Sequence, residues 1–567
     1  MNISSDETSL LYLTELERYF PSKHGNWCMS SFLLPNELPM QGWKIHISAT
    51  PVNALAVLRS VGDLIIIHRW QSKAIASLEL LKKMNAGLFF GHSQIGKFIT
   101  IYCSDHTELV DKIAILKEVT GTYQGPSIPS DMKVSGSGCL YYRYGNFRSN
   151  KDGKDVITDP DGNLLLDGRR RHSAVPVWAK ATIAELTPIK EKNSFSLLEN
   201  GYLVYDCLSQ RGKGGVFRAL SLFANPPEIV IVKEGRKYGE EEYAGRDGYA
   251  RLLNEFKILT LLNCTGVRVP KIIEKIETVN RCLLVTNNVS GVTLDEIIYE
   301  LSRKKRKLAI RQLLRLAVLL LSQICILHSA GICHRDIKPA NLIMDINGDV
   351  SIIDFEGAFV GEGNLYDPWG SPGFIAPEWR SQLTFALRIA GDIYSIGATL
   401  FYLFTGSVYR DSSYSRENDY RKGLLPELFR RLIEKMLSPD PNQRPSASSA
   451  LMIIEQMKPD TYPSHFLLRV ISRMQRRNNE KAGTIRLTVA IKNDTLCNHI
   501  IHIYDRFRDG HREVSGSPFV LSAGEISVPF YIHSNSKEYI GRISIKREDG
   551  FLLQGIELEE NMIYPII

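Results

Sequence analysis

The spacing of hydrophobic and polar residues divides the chain into three regions of different predicted secondary structure. The first region, to about Thr187, mixes short apolar strand patterns with a helical pattern and many turn signals. Strands are predicted at 64–68 and 98–102, and a helix at 74–84. This mixture predicts an α+β domain.

The second region begins with strand patterns and continues into long helical patterns that end near Met457. The strands lie at 201–205 and 229–233. Strands that come first and helices that follow predict a bilobal domain. The third region alternates apolar and polar residues, which predicts a small antiparallel all-β domain. Its strand patterns and turn signals are 484–491, 499–504, 540–545, Asp509-Gly510 and Asp549-Gly550.

These patterns give four segments. We expect the α+β domain at 1–190, the bilobal domain at 195–460 and the β domain at 483–567. A linker is expected at 461–482, because the sequence from Arg473 onward is basic and polar. At 567 residues the chain is too long for one hydrophobic core, which agrees with several domains.

Composition excludes several classes of protein. With 44% hydrophobic and 23% charged residues, neither a disordered nor a fibrous chain is expected. A net charge of +7 over this length is too weak for a nucleic-acid-binding protein. The nine cysteines form no CxxC pair, which argues against a disulfide framework and a structural zinc site.

No membrane association is expected either. The first twenty residues lack a basic segment followed by an apolar run, so they do not form a secretory signal, and we expect a cytoplasmic protein. The most apolar stretch, 314–333, is interrupted by Arg315, Gln323 and His328 and predicts a buried core helix. A basic run at 303–307 is either a solvated helix face or a site for an acidic peptide.

A set of motifs for phosphoryl transfer begins in the second region. Glycines at 212, 214 and 215 lie between two strand patterns, where backbone amides could approach phosphates without obstruction by a Cβ atom; the alternative is a plain hairpin turn. The three are Gly212, Gly214 and Gly215. Lys233 at a strand end is the candidate contact for nucleotide phosphates, and Glu255 on the next helix is its expected partner, with Glu242 as a substitute.

The segment His334 to Asn341, HRDIKPAN, carries the strongest signal. Asp336 would accept the proton of the substrate hydroxyl, while Asn341 and Asp354 would hold a metal ion. Lys338, two residues after the aspartate, suits a serine or threonine acceptor. Three further motifs would stabilise the helical lobe, namely Ala376-Pro377-Glu378, Gly391-Asp392 ahead of a helix at Ile393, and Arg444. This constellation resembles the protein kinase superfamily, which implies ATP and Mg²⁺ as cofactors.

Two departures from that pattern bear on regulation. Glu356 stands where the triplet after Ile353 usually ends in glycine, which removes backbone freedom. The segment 357–375 contains no threonine, although Tyr366 and Ser371 are possible phosphorylation sites. We therefore expect a kinase that is not switched by phosphorylation of this segment.

The first region carries a second group of cationic residues. Lys44 and His46 alternate with apolar residues in the strand pattern 42–50, so they project from one face, as they also would in a plain exposed strand. Lys97 begins the strand pattern 96–102, and Arg143 lies within YYRYG.

The stretches GWKIHISA, GKFITIY and YRYG resemble the lyase domain of class III lanthipeptide synthetases, which is similar to bacterial effector phosphothreonine lyases. Those synthetases also place a kinase directly after the lyase. The resemblance implies elimination of phosphate from phosphoserine or phosphothreonine. It makes Lys97 the preferred base, Lys44 the stabiliser of the enolate, His46 the general acid and Arg143 a phosphate ligand. Lys44 remains the alternative base.

A lysine base requires a pKa well below its usual value of about 10.4, which burial and neighbouring cations provide. One of three consecutive arginines could complete the phosphate site, or the three form a solvated loop, whereas Arg148 is expected to be structural. The three are Arg169, Arg170 and Arg171.

The chain also departs from this family. Cys103 follows TIY where the family usually has proline. After the kinase region only about 85 residues remain, with the single cysteine Cys497, so no zinc-binding cyclase domain is expected.

The expected function is a bifunctional dehydratase that phosphorylates serine or threonine of a ribosomally made precursor peptide and then eliminates the phosphate. The products would be dehydroalanine and dehydrobutyrine, and ring closure would need a separate cyclase. One alternative is a signalling serine/threonine kinase with a non-catalytic N-terminal domain. A second is a pseudokinase scaffold that recruits partners through its C-terminal domain.

Overall fold

The computed structural model describes residues 5–33, 38–148, 155–167, 174–179, 186, 200–221, 228–241, 245–361, 369–380, 385–409 and 425–482, together with the backbone of seven strands between 485 and 566.

An antiparallel sheet of seven strands organises the first domain. Its spatial order is β1-β2-β4-β5-β3-β7-β6, which places β3 between β5 and β7. The strands are β1 Ser22–His24, β2 Trp27–Met29, β3 Gln41–Ile47, β4 Ser72–Ile75, β5 Ile99–Cys103, β6 Met132–Lys133 and β7 Leu140–Asn146. A separate hairpin joins β8 Val156–Thr158 to β9 Leu164–Leu166.

Four helices belong to this domain, and buried residues of each share one hydrophobic core with the sheet: α1 Ser5–Tyr19, α2 Ala54–His68, α3 Leu78–Ala86 and α4 His106–Thr120. Trp43, Ile45 and Ile47 of β3 are buried in one core with residues of α2 and α4. Because neighbours in a strand point to opposite faces, this packing leaves Lys44 and His46 on the other face.

Two predictions of local structure in this domain are wrong. The apolar run 64–68 is the last turn of α2, where Ile65 is buried and Ile66 is exposed. A short apolar run has no periodicity that separates a strand from a helix end. The helix predicted at 74–84 begins only at Leu78, because Ala74 and Ile75 belong to β4. The strand predicted at 98–102 corresponds to β5.

A second antiparallel sheet opens the next domain, in the order β10-β11-β12-β14-β13. Its strands are β10 Tyr202–Arg211, β11 Gly214–Ser221, β12 Glu228–Arg236, β13 Ile272–Glu277 and β14 Arg281–Asn287. The helix α5 Gly248–Leu262 packs against β12 and β14, and Asp247 caps its first turn by accepting from the N–H of Ala250.

A helical part follows, with α6 Leu294–Arg303, α7 Ile310–Ser329, α8 Phe385–Thr405, α9 Glu427–Met436 and α10 Ala447–Glu455. Five short strands lie among these helices: β15 Val292–Thr293, β16 Ile332–Cys333, β17 Leu342–Met344, β18 Val350–Ile352 and β19 Phe359–Val360. Helices and short strands share one core with α5. Asp392 lies within α8, not ahead of it as the sequence pattern predicts.

Within the described part of the chain, α7 is the one helix with the length and composition to cross a membrane. Leu316, Leu320 and Leu327 on it are buried in the core, and core helices of soluble proteins commonly have this composition.

The last helix, α11 His465–Ala482, occupies most of the segment that the sequence predicts to be a linker. Beyond it, the described elements are β20 Ile485–Ala490, β21 Ile500–Phe507, β22 Gly510–Glu513, β23 Phe519–Val520, β24 Ile526–Ser534, β25 Lys537–Ile545 and β26 Tyr564–Ile566. All their pairings are antiparallel. Both predicted turns include residues outside the described part, and Cys497 also lies outside it.

Candidate active sites

The polar face of the N-terminal sheet brings cationic residues into adjacent positions. Lys44 on β3 lies directly opposite Arg143 on β7, and on its other side opposite Tyr102 on β5. His46, two residues along, lies opposite Thr100. Residues directly opposite in antiparallel strands share a face, so the sheet itself assembles this group.

These side chains line a cavity of about 280 Å³, which we call the cationic cavity. Its lining residues are Trp27, Lys44, His46, Lys73, Met84, Phe90, Gln94, Lys97, Thr100, Tyr102, Arg143, Asn146 and Asp167. All four residues that the family resemblance selects are therefore brought together. Arg148 does not line the cavity, and Arg169 to Arg171 lie outside the described residues.

His46 is buried and pairs through Nδ1 with a carboxylate oxygen of Asp131. Burial, with Lys97 and Lys44 nearby, lowers the pKa of His46 to about 4, although the Asp131 carboxylate acts in the opposite direction. Burial would raise the pKa of Asp131, but His46 and Lys97 hold it well below its usual range. Asp131 therefore carries a negative charge next to Nδ1 of His46.

The surroundings of Lys44 in the cavity disfavour its charged form and lower its pKa. Burial, with a further contribution from Arg143, lowers the pKa of Lys44 to about 7. Its Nζ donates to the backbone oxygen of Asn146 at 2.5 Å and lies 5.6 Å from the centroid of the Phe147 ring. At neutral pH a large fraction of Lys44 is consequently uncharged.

Lys97 is buried and precedes β5 instead of lying within it. Its Nζ lies 3.9 Å from Oδ1 of Asp131, on the opposite oxygen from the one that His46 contacts. Lys97 and His46 thus approach the two oxygens of the same buried carboxylate.

Arg143 forms a buried ion pair with Asp167, which also accepts from the N–H of Asn146. The ion pair fixes the guanidinium at the wall of the cavity.

Cys103 ends β5 opposite Trp43, is 1% exposed and does not line the cavity. Its departure from the family pattern therefore lies away from the charged groups.

Three residues of this site were missed from the sequence. Lys73 lies on β4 opposite Thr100, with Nζ 4.5 Å from the Trp27 ring. The polar Lys73 next to apolar residues in Ser72–Ile75 could have indicated a strand, but the helix predicted at 74–84 obscured this pattern. Asp131 and Asp167 lie in turn-rich stretches, and nothing local distinguishes them from surface aspartates.

The second candidate site lies between the second sheet and the helical part. Nζ of Lys233 on β12 donates to both carboxylate oxygens of Glu255 on α5, at 2.8 and 2.9 Å, and to Oδ1 of Asp354 at 3.2 Å. Although burial would lower it, the pKa of Lys233 is raised by Asp354 and Glu255. The structure thus pairs Lys233 with Glu255, while Glu242 lies outside the described residues.

Asp336 lies in the loop after β16, held in a network of side chains. Its Oδ2 accepts from Nζ of Lys338 at 2.7 Å and from Nδ2 of Asn341 at 3.0 Å. Its Oδ1 is buried and finds no hydrogen-bond partner among the described residues. One carboxylate oxygen is therefore positioned by the protein and the other remains for a substrate.

A buried aspartate in α8 supports this loop. Asp392 accepts from the backbone N–H groups of His334 and Arg335, both at 2.8 Å. Arg444 forms a two-pronged pair with Glu378, at 2.5 and 2.9 Å, and also donates to Ala390. The three motifs that the sequence singled out thus meet around the loop.

Glu356 has a partner that the sequence did not indicate. It pairs with Lys213, which lies at the tip of the β10–β11 hairpin between Gly212 and Gly214. Gly215 follows on β11. The glycine-rich turn therefore reaches the residue that follows Phe355.

Of the two possible phosphorylation sites, Ser371 accepts a hydrogen bond from Nζ of Lys338 at 2.6 Å, and Tyr366 lies outside the described residues.

The side chains present fit a nucleotide with a divalent metal. Carboxylate and amide oxygens are the ligands that Mg²⁺ prefers, and Asn341 and Asp354 offer them. Because Nδ2 of Asn341 donates to Asp336, its Oδ1 is the atom that remains for a cation. Carboxylate oxygens of Glu255, Asp354 and Glu356 lie within 4.8 Å of one another, which is a strongly anionic setting for a cation.

Two protein-family models match the two stretches of chain that carry these candidate sites. The family model for the RamC N-terminal domain matches residues 13–193, and the protein kinase domain model matches residues 205–453. The chain therefore carries a RamC N-terminal domain followed by a protein kinase domain, and the resemblance to class III lanthipeptide synthetases is confirmed.

Among individual relatives, the chain is 26% identical over 385 residues to a probable SapB synthase of Streptomyces coelicolor. That match covers 65% of this chain and 40% of the relative, so this chain spans less than half of the relative's length. CBL-interacting serine/threonine-protein kinase 15 of Arabidopsis thaliana is 33% identical over 138 residues, which are 22% of this chain and 32% of that protein. The human hormonally up-regulated neu tumor-associated kinase is 29% identical over 251 residues, which are 40% of this chain and 34% of that protein.

Proposed function

We propose that this protein is a two-site dehydratase of a ribosomally made precursor peptide, with lanthipeptide-type products. The kinase domain phosphorylates serine or threonine, and the N-terminal domain eliminates the phosphate. The observation that carries the proposal is the cationic cavity, where Lys44, Lys97 and Arg143 surround a histidine that is itself backed by Asp131. A phosphorylated side chain is the substrate that such a cluster suits best.

In the phosphorylation step, Oδ1 of Asp336 accepts the proton of the substrate hydroxyl. The hydroxyl oxygen bonds to the γ-phosphorus of ATP while the bond to the β,γ-bridging oxygen breaks. Lys233 holds the nucleotide phosphates, and Lys338 lies 2.7 Å from Asp336, where it can neutralise charge on the transferred group. Asn341 and Asp354 would hold Mg²⁺, which would neutralise phosphate charge at this site. Gly212, Gly214 and Gly215 form the turn over the phosphates.

In the elimination step, a neutral lysine removes the Cα proton of the phosphorylated residue. The electron pair of the C–H bond forms the Cα=Cβ double bond, and the Cβ–O bond breaks with its electrons on the departing phosphate. Arg143 binds that phosphate, and His46 donates a proton to it. The negative charge of the bound phosphate raises the pKa of His46, as the Asp131 carboxylate also does, so the acid is charged once substrate is present.

The family resemblance favours Lys97 as the base, whereas the electrostatics of the cavity favour Lys44. The lowered pKa of Lys44 makes its neutral form available, whereas Lys97 lies beside the carboxylate of Asp131. We therefore propose that one of the two lysines is the base and the other stabilises the enolate. Arginine variants of each lysine distinguish the two assignments.

The proposal includes the domain scheme 1–190, 195–460, 461–482 and 483–567, with a bilobal kinase and a small all-β C-terminal domain. It also includes ATP, Mg²⁺, a peptide partner, a separate cyclase and a cytoplasmic location, where precursor peptides and ATP are both supplied.

The test is incubation with ATP, Mg²⁺ and a cognate precursor peptide, followed by mass spectrometry. Loss of one water per modified residue supports the dehydratase. Phosphopeptide that accumulates and persists indicates a signalling kinase instead, and unmodified peptide indicates a scaffold. A synthetic phosphoserine peptide, supplied without ATP, tests the elimination step alone.

A further inference from the structure

The connection between α3 and β5 forms one wall of the cationic cavity. Met84, Phe90, Gln94 and Lys97 on this connection and the end of α3 all line the cavity. Gly87 ends α3 with φ 74°, a left-handed conformation that favours glycine, and from there the chain turns toward Lys97. The position of this connection therefore sets the position of Lys97.

Asn85 joins the segments that carry two of the proposed catalytic residues. Its side chain is 1% exposed, donates from Nδ2 to the backbone oxygen of Ala49 at 3.0 Å and accepts through Oδ1 from the N–H of Gly96 at 3.2 Å. Ala49 lies just beyond β3 and its His46, and Gly96 immediately precedes Lys97. One buried amide thus links the segment that follows β3 to the residue that precedes Lys97.

The backbone of Asn85 touches the kinase domain at its glycine-rich turn. The N–H of Gly212 donates to the backbone oxygen of Ala86 at 3.1 Å. A Cβ atom placed on Gly212 would lie 1.7 Å from the backbone oxygen of Asn85. The approach is so close that only glycine can occupy position 212 without displacing the N-terminal domain.

The N-terminal domain meets the kinase domain at two further points. His92, on the connection, lies close enough to Arg236 and Glu234 for both to affect its pKa, which burial and Arg236 lower. Thr50 donates to the carboxylate of Glu241. The contact at Gly212 is therefore part of an interface and not an isolated touch.

On its other side, the glycine-rich turn is tied to the metal-binding triplet through the ion pair of Lys213 with Glu356. Nucleotide phosphates bring negative charge to Lys213, and a bound cation attracts Glu356 and Asp354. Both effects oppose the ion pair. Nucleotide with Mg²⁺ is expected to release Lys213 and shift the turn that carries Gly212.

We propose that Asn85 is a positioning residue of the cationic cavity and that the kinase's glycine-rich turn acts on it, so that nucleotide bound to the kinase slows elimination. The coupling rests on the proposed elimination activity. It would keep the cavity less active while the kinase is loaded, and restore it when the turn returns to Ala86.

The test uses the full chain, a synthetic phosphoserine peptide and a non-hydrolysable ATP analogue with Mg²⁺. We expect saturating analogue to lower the elimination rate about fivefold or more, the range typical of coupled sites. Hydrogen–deuterium exchange of the segment 85–97 should increase in the same samples. Gly212→Ala, which separates the domains by its added methyl group, should eliminate slowly with or without the analogue.

The control is Gly121→Ala at the end of α4, where the backbone is right-handed and the added methyl group meets only the backbone oxygen of Lys117 within 4 Å. It should keep the response to the analogue, with binding verified by calorimetry. Asn85→Asp retains the acceptor for Gly96 but loses the donor to Ala49, and should show a lower kcat for elimination and a smaller response to the analogue.

Wild-type protein alone decides the matter, even if a variant fails to fold. An unchanged or faster elimination rate, with unchanged exchange at 85–97 when the analogue is bound, overturns the coupling and leaves the dehydratase standing. Absence of elimination under every condition overturns the proposed function, and the exchange measurement still reports whether the two domains communicate.

Discussion

His46 and Asp131, which are 85 residues apart in the chain, form a buried pair through Nδ1 of the imidazole. This pairing assigns the N–H of the ring to Nδ1 and leaves Nε2 as the atom that can serve a phosphate. Asp131 also receives a hydrogen bond from Oγ of Ser130 at 2.6 Å, so the carboxylate itself is held in place.

Asp131→Asn tests this pair. The change removes a negative charge that raises the pKa of His46, so this pKa falls further. At pH 7 a smaller fraction of His46 then carries the proton that the elimination step needs. We expect a loss of roughly 10²-fold in elimination at pH 7, the lower end of the contribution of a positioned acid. The pH at which activity falls on the alkaline side should also decrease.

Ser130→Ala is the matched control, because it removes only the hydrogen bond to Asp131. It should lower elimination much less and leave the pH profile in place. A profile that is the same in wild type and Asp131→Asn would contradict a role of Asp131 in the protonation of His46.

Arginine substitutions at Lys44 and Lys97 distinguish base from stabiliser. Arginine keeps the positive charge but does not lose its proton near neutral pH, so it can stabilise an enolate and cannot act as the base. If Lys44 is the base, Lys44→Arg should abolish elimination from a phosphoserine peptide while Lys97→Arg retains part of it. The reverse pattern would assign the base to Lys97, and equal retention would contradict both roles.

Lys44 is expected to reduce the stability of the domain that it serves. Its pKa is about 7 in the fold and about 10.4 in an unfolded chain, so the unfolded state binds more protons between these values. Stability should therefore rise with pH across that window. Lys44→Met should unfold at a higher temperature at pH 7, by about 2–4 °C for each kcal/mol gained.

Thermal unfolding of both proteins from pH 7 to pH 10 checks this expectation. The difference between Lys44→Met and wild type should shrink as pH rises. If the difference in unfolding temperature stays constant or grows with pH, burial of the Lys44 charge does not destabilise the folded protein.

Separate loss of the two steps is the fourth prediction. Asp336→Ala should leave the precursor peptide unmodified, yet still eliminate phosphate from a synthetic phosphopeptide. Lys97→Ala, under either assignment of the base, should accumulate phosphorylated peptide. Mass spectrometry of both reactions provides the measurement, and dehydrated peptide from both variants with ATP would show that these residues are wrongly assigned.

Much of the kinase site could be predicted because its motifs are local. Asp336, Lys338 and Asn341 lie within six residues, and the pairing of Lys233 with Glu255 follows from a strand pattern and the helix after it, although β12 continues three residues past the predicted strand end at Lys233. The contact of Lys213 with Glu356 spans 143 residues and depends on how the glycine-rich turn folds back, which no local pattern encodes.

The first domain shows the same division. Alternation along β3 was enough to place Lys44 and His46 on one face, and it succeeded because a strand repeats every two residues. The apolar run 64–68 was misassigned to a strand because five residues cannot show the period of a helix. The helix predicted at 74–84, which in fact begins at Leu78, likewise hid Lys73 on β4.

The sequence by itself determined that this chain carries kinase motifs behind a segment with Lys44, His46, Lys97 and Arg143. Only the tertiary structure decided that Asp131 lies beneath His46, that Asp167 holds Arg143, and that Gly212 of one domain touches Asn85 of the other. The reason is physical: strand and loop motifs are set by neighbours in the chain. A carboxylate's role and the approach of two domains depend on burial and on partners that only the packed fold brings near.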